Sequence, residues 1–145
     1  MSDREAPRRE DYRVFYPVST RWADNDIYGH VNNVVYYAWF DSAVNRYLIE
    51  EGGLDIVDGD IVGFVVSSGC DYLSPVAYPE PIEVGVRVDR LGNSSVRYGV
   101  AIFRAGEDAA CAHGHFVHVF VERATNRAVA MPASLRGALE ALAGV

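Results

Sequence analysis

The stretch Arg21-Trp22-Ala23-Asp24-Asn25-Asp26-Ile27-Tyr28-Gly29-His30-Val31-Asn32-Asn33-Val34-Val35-Tyr36-Tyr37 decides how this chain reads. Its first part, Ala23 to His30, is polar and turn-rich, with Asp24, Asn25, Asp26 and Gly29. Asn32 or Asn33 then offers a side-chain oxygen to the first N–H groups of a helix. From Val34 to Glu51 the apolar residues Tyr36, Trp39, Phe40, Ala43 and Tyr47 recur at three- and four-residue spacing, and Val35 and Val44 widen the stripe. Gly52 and Gly53 stop it. This pattern predicts one long, mostly buried helix.

Outward from that helix the period changes to two. Upstream, Tyr12 to Trp22 alternates as a strand, with Pro17 placing it at an edge or a bulge. Downstream, Ile61 to Leu73 is apolar on both parities, as in a strand covered on both faces. Ile82, Val84, Val86 and Val88 form a half-exposed strand, and Leu91-Gly92-Asn93 turns it into Val96, Tyr98, Val100 and Ile102. Gly106-Glu107-Asp108 turns again into Cys111 to Glu122, and Pro132 to Ala143 is a weak final helix. One strand, one apolar helix and four more strands joined mainly by tight turns predict an α+β fold with an antiparallel sheet. One apolar helix against about five strands implies a sheet wrapped around it, and the uncovered strand edges predict a homo-oligomer, dimer or tetramer.

The chain has 145 residues, enough for one domain with a real core. Residues 1–10 are expected as a flexible polar arm and 11–145 as the domain. Net charge is −7, and all thirteen basic residues are arginine, so general binding to nucleic acid or an anionic membrane is not expected. Two cysteines, Cys70 and Cys111, without Cys-x-x-Cys spacing, read as buried thiols of a reducing compartment, the cytoplasm. No apolar run reaches the ~18 residues of a membrane span.

The densest polar cluster, Asp24 to Asn33, lies between a strand and the start of the buried helix. A helix N-terminus presents free N–H groups and positive partial charge, which polarise a carbonyl or hold an oxyanion. A carboxylate just upstream could then act as nucleophile or as base for water. The same residues also read as plain architecture: Asp24 and Asp26 capping turns, His30 packing, Asn32 and Asn33 capping the helix.

Asp24-Asn25-Asp26 followed by Gly29-His30-Val31-Asn32-Asn33-Val34-Val35-Tyr36-Tyr37 resembles the signature of hotdog-fold acyl-thioester hydrolases, in particular the 4-hydroxybenzoyl-CoA thioesterase-like group. The His-Val-Asn-Asn-x-x-Tyr run also resembles plant acyl-carrier-protein thioesterases. The resemblance covers about residues 12–132. It implies an acyl-CoA thioesterase with a sheet of about five strands around a central helix, acting without metal or organic cofactor on an acyl-CoA or acyl-carrier-protein thioester. It implies that Asp26 is the catalytic carboxylate, that the backbone N–H at Asn33 polarises the thioester carbonyl, and that His30 orients. Asp24 reads as structural. The plant-type motif has an Asn where this chain has Tyr28, so the plant-type network does not carry over whole. Rival readings are a hotdog enoyl- or hydroxyacyl-thioester hydratase and a non-catalytic acyl-thioester-binding protein.

Other candidates are weaker. His113 and His115 share a strand face but His118 has the opposite parity, so packing rather than metal ligation is expected. Arg87, Arg90 and Arg97 flank the hairpin turn; the resemblance implies coenzyme A phosphate contact there, with Arg90, Asn93 and Ser94 as the substrate-binding residues. Tyr36 and Tyr37 are expected beside the acyl group, among aromatics that also serve the core.

Overall fold

The computed structural model describes residues 5–144. Five strands form one antiparallel sheet: β1 (Val14–Val18), β2 (Ile61–Tyr72), β3 (Ile82–Leu91), β4 (Ser95–Arg104) and β5 (Ala112–Glu122), in the order β1-β3-β4-β5-β2. The long helix α1 (Asn33–Glu50) follows β1, and α2 (Ala133–Ala143) closes the chain. This is the hotdog architecture that the sequence implies.

Alternation along the strands builds the core. Val96, Tyr98, Val100 and Ile102 of β4, with Ala112, Phe116 and Phe120 of β5, turn inward and are buried. Against them α1 lays Tyr36, Trp39, Phe40, Ala43, Val44, Tyr47 and Leu48. Burying a large apolar side chain such as Phe40 or Leu48 contributes about 1.5–3 kcal/mol. Helix α2 adds Leu135, Leu139 and Leu142 to the same core, and the Tyr47 hydroxyl donates to the Ala138 carbonyl at 2.6 Å. Gly53 after α1 takes φ +69°, which favours glycine, so the double glycine ends the helix as expected.

Three expectations change. The first strand ends at Val18 rather than Trp22. Thr20 Oγ1 turns away to donate to the Glu80 carbonyl at 2.9 Å, and Trp22–Asp24 coils into a 3-10 turn. Pro17 does sit on an edge strand, where its missing N–H costs no ladder bond. The second change concerns β2, which is not covered on both faces. It is the other edge of the sheet, paired with β5 on one side only, and Phe64, Val65 and Val66 are 59%, 39% and 54% exposed. The third concerns the N-terminal arm, of which residues 1–4 lie outside the described residues. From Pro7 onward it is tied to the sheet's outer face. The Ala110 N–H donates to the Pro7 carbonyl at 2.9 Å, Arg9 pairs with Glu83 at 2.7 Å, and its guanidinium lies 5.0 Å from the Phe103 ring centre.

His118 faces the core. It is 1% exposed, its Nδ1 lies 3.2 Å from the Tyr98 hydroxyl, and burial pushes its pKa down to about 4. Among the described residues no group of His, Cys, Asp and Glu could hold a metal ion, and no helix is long and apolar enough to cross a membrane.

Candidate active site

The loop between β1 and α1 is shaped by its own carboxylates. Asp24 is buried and accepts from the Arg21 N–H at 2.8 Å and from the Arg21 guanidinium at 2.7 Å, while its carbonyl accepts from the Asn32 N–H at 2.9 Å. This is the structural role expected of it. Asp26 organises the loop's tip. Its Oδ1 accepts from the Tyr28 N–H at 2.9 Å, its carbonyl from Gly29 at 3.0 Å, and its N–H donates to the His30 carbonyl at 3.0 Å. Gly29 takes φ +85°, a conformation open to glycine at little steric cost, and so lets the chain double back from Asp26 to His30.

Asn32 is the N-cap of α1, and its side chain works in two directions. Oδ1 accepts from the Val34 N–H at 3.0 Å, and Nδ2 donates to Asp26 Oδ2 at 3.3 Å. Its carbonyl accepts from the Val35 N–H at 3.0 Å. The second and third N–H groups of the helix are therefore occupied. Among the described residues nothing accepts from the first, that of Asn33. One donor at the positive end of the helix dipole is thus left over, on the residue that follows Asn32, whose side chain holds the Asp26 carboxylate.

That donor's residue borders a cavity of about 340 Å³, lined by His30, Val31, Asn33, Tyr36, Tyr72, Leu73, Ser74 and Pro75. Three of the expected site residues, His30, Asn33 and Tyr36, thus meet on one wall. Asp26 is not a lining residue; it is joined to the cavity through Asn32 and through its bond to His30. Tyr37 is not itself a lining residue; its ring packs near Phe40 and Phe116 (ring centres 6.5 and 6.3 Å), and its hydroxyl meets that of the lining residue Tyr72.

Sequence reasoning missed Tyr72. It comes from the end of β2, packs edge-on against Tyr36 with ring centres 5.0 Å apart, and its hydroxyl donates to the Asn33 carbonyl at 3.3 Å. Burial raises its pKa above the ordinary phenol value, so it stays a donor. Asn32 was expected as a possible cap; its grip on Asp26 was not. A signal for Tyr72 existed in Tyr72-Leu73-Ser74-Pro75, a strand end terminated by proline.

The β3–β4 hairpin lies elsewhere. Its first strand slips register between Val88 and Arg90, so that Arg90 stands opposite Arg97. Arg90 and Arg97, with Gly92, Ser95, Val96 and Val117, line a separate cavity of about 290 Å³. Asn93 and Ser94 offer their carbonyls to the Met131 and Phe120 N–H groups. Arg87 is engaged with Asp89 at 2.7 Å and with the Tyr12 ring. From Ser95 to Ile102, whose neighbours are at the Tyr72 end, strand β4 runs roughly 23 Å. Within one chain the arginines and the Asn33 cavity are not brought together.

A model of the thioesterase-like superfamily matches residues 20–139, which include the loop, the helix and all of β2 to β5. The chain belongs to this superfamily. As a superfamily member it is similar to the PA5185 protein of Pseudomonas aeruginosa, with 64% identity, 95% of this chain and 96% of that one covered, and a TM-score of 0.94. It is also similar to PA2801, a candidate thioesterase of that species, at 32% identity, 86% and 96% coverage, and a TM-score of 0.80. A 1,4-dihydroxy-2-naphthoyl-CoA thioesterase from Synechocystis shares the fold at 18% identity, 86% and 93% coverage, and a TM-score of 0.77.

Proposed function

We propose that this superfamily member hydrolyses an acyl-CoA thioester to a free carboxylic acid and coenzyme A. The observation that carries the reading is the unaccepted Asn33 N–H at the start of α1, beside a carboxylate, Asp26, held by Tyr28 and Asn32. The thioester carbonyl oxygen accepts from that N–H, which becomes more valuable as negative charge grows on the oxygen. In one route Asp26 takes a proton from a water that adds to the carbonyl carbon, the C–S bond breaks, and that proton passes to the leaving thiolate. In the other Asp26 itself attacks the carbon and expels the thiolate, and water then cleaves the acyl-aspartyl anhydride, restoring Asp26 and supplying the proton that the thiolate takes up. His30, at the lip of the cavity, orients the substrate. Tyr36 and Tyr72 flank the acyl group. The names of related thioesterases support the reaction class. No metal or organic cofactor enters this scheme, and its setting is the cytoplasm.

The working unit we propose is a homo-oligomer built on the open edge of β2. Two such edges pairing antiparallel about a twofold axis would cover Phe64, Val65 and Val66. They would also turn the partner's hairpin end toward this chain's cavity end, the arrangement in which Arg90 and its neighbours could meet the phosphates of coenzyme A.

The test is thiol release from acyl-CoA substrates of short, long and aromatic acyl groups. Release from at least one class is expected. Absence of release from all of them contradicts the proposal, and a change at the enoyl absorbance band without thiol release would assign a hydratase instead.

A further inference from the structure

Across the cavity from the helix start stands the segment from Leu73 to Glu80, which has no regular secondary structure of its own. Its fixed position needs a cause, and one side chain supplies most of it. The Arg104 guanidinium, from the last residue of β4, donates through Nε to Glu80 Oε2 at 2.7 Å. Through Nη1 it donates to Ser74 Oγ at 3.4 Å and Cys111 Sγ at 3.2 Å, and through Nη2 to the Pro75 carbonyl. Arg104 also lies 3.7 Å from Glu107. A guanidinium presents five donors in a planar fork, which is what gripping both ends of such a segment requires. Glu80 passes the grip on: its Oε1 accepts from the Ala77 N–H at 2.8 Å.

The segment in turn holds the catalytic loop at two points. The Val76 carbonyl accepts from the Val31 N–H at 2.7 Å, and Asn25 Oδ1 accepts from the Tyr78 N–H at 3.0 Å. Asn25 and Val31 bridge one another, and between them lie Asp26 and His30. Trp22, at the loop's entrance, packs edge-on against Tyr78 with ring centres 6.0 Å apart.

We infer that Arg104 is a positioning residue for the hydrolytic site: by fixing residues 74–80 it sets where Asp26 stands relative to the Asn33 N–H, without touching substrate. The inference rests on the proposed function for its kinetic consequence and on the hydrogen bonds alone for its structural one. Misplacing a reacting group by about 1 Å costs on the order of 100-fold in rate, so the effect should appear in kcat.

The experiment compares wild type with Arg104→Met, Arg104→Lys and Glu80→Gln. Two readouts are used: thiol release, and amide hydrogen exchange at Val31 and Tyr78 against Phe120, which donates to the Ser94 carbonyl at the far end of the sheet. Arg104→Met should lower kcat at least tenfold with KM within twofold. It should speed exchange at Val31 and Tyr78 at least tenfold while Phe120 stays within twofold. Arg104→Lys, which keeps charge but not the fork, should fall between. If Arg104→Met does not fold, Glu80→Gln should give the same selective exchange in weaker form. Unchanged exchange at Val31 and Tyr78, or equal acceleration at all three amides, would overturn the inference. A wild type without thiol release removes the proposed reaction but leaves the exchange result to decide the positioning role.

Discussion

At the end of the sheet where β2 stops at Tyr72 and α1 begins at Asn33, opposite charges and polar groups are tied to one another: Asp24 to Arg21, Asp26 to Tyr28 and Asn32, Arg104 to Glu80. At the helix start the Asn33 N–H has no acceptor among the described residues. At the other end the hairpin sets Arg90 opposite Arg97, and neither makes an ion pair among the described residues, in a chain whose net charge is −7. Like charges directly opposite across a ladder are destabilising. The contrast separates two kinds of work. The first end is tied together by hydrogen bonds and ion pairs, suited to placing a carbonyl; the second carries a positive pair without ion-pair partners among the described residues, suited to an anion. Substitutions at the first end should therefore act on turnover and those at the second on binding.

The largest expected effect is at the first end. Asp26→Asn should reduce kcat by about 10²- to 10⁴-fold, the range of a lost general base, with KM little changed in steady-state thiol release. Asn32 comes next and sharpens the point. Asn32→Ala removes both the cap and the hold on Asp26, and should cost about 1 kcal/mol of stability together with a kcat loss of about tenfold or more. Asn32→Asp keeps an oxygen for Val34 but sets a carboxylate against Asp26, so the melting temperature should hold while kcat falls. Full turnover in Asn32→Asp, with only a stability loss in Asn32→Ala, would mean that Asn32 is only a cap.

Near the hairpin end, opposite Val96, the buried His118 gives stability a pH dependence. Its pKa is about 4 in the folded protein and 6.5 in the unfolded chain, so the unfolded state binds more protons between those values. Stability from this group is present above pH 6.5 and is lost as pH falls toward 4. It amounts to about 2 kcal/mol between pH 7 and pH 5. Urea unfolding at the two pH values should show that loss in wild type and a smaller one in His118→Gln. The smallest effect is at the hairpin: Arg90→Ala should raise KM about five- to tenfold, the order of a charge-assisted hydrogen bond, and leave kcat within twofold. A selective fall in kcat there would break the division between the ends.

The fold was legible because its signals are local and periodic. Three- and four-residue spacing set α1, and period two set the strands. Asn33 opens α1, His30 lines the cavity beside it, and Asp24 is held by Arg21. What was not legible came from contacts distant along the chain. Tyr72 reaches the cavity only because the end of β2 meets the start of α1, and Arg104 meets Ser74 and Glu80 across 30 and 24 positions. The both-parity apolar pattern of β2 predicted cover that one chain does not supply, since sequence pattern records burial without saying which molecule provides it. The bulge that sets Arg90 against Arg97 likewise has no signature in the hairpin's alternation.

In the proposed reaction the Asn33 N–H receives the thioester carbonyl. The most direct measurement is the amide ¹H–¹⁵N shift of Asn33 on titration with an acyl-CoA analogue in which a methylene replaces the sulfur, leaving a ketone that cannot be hydrolysed. A downfield proton shift is expected at Asn33, larger than at Val34 or Val35, whose N–H groups are already occupied, and the same shift in Asp26→Asn. Binding of the analogue with the Asn33 amide unmoved would contradict it.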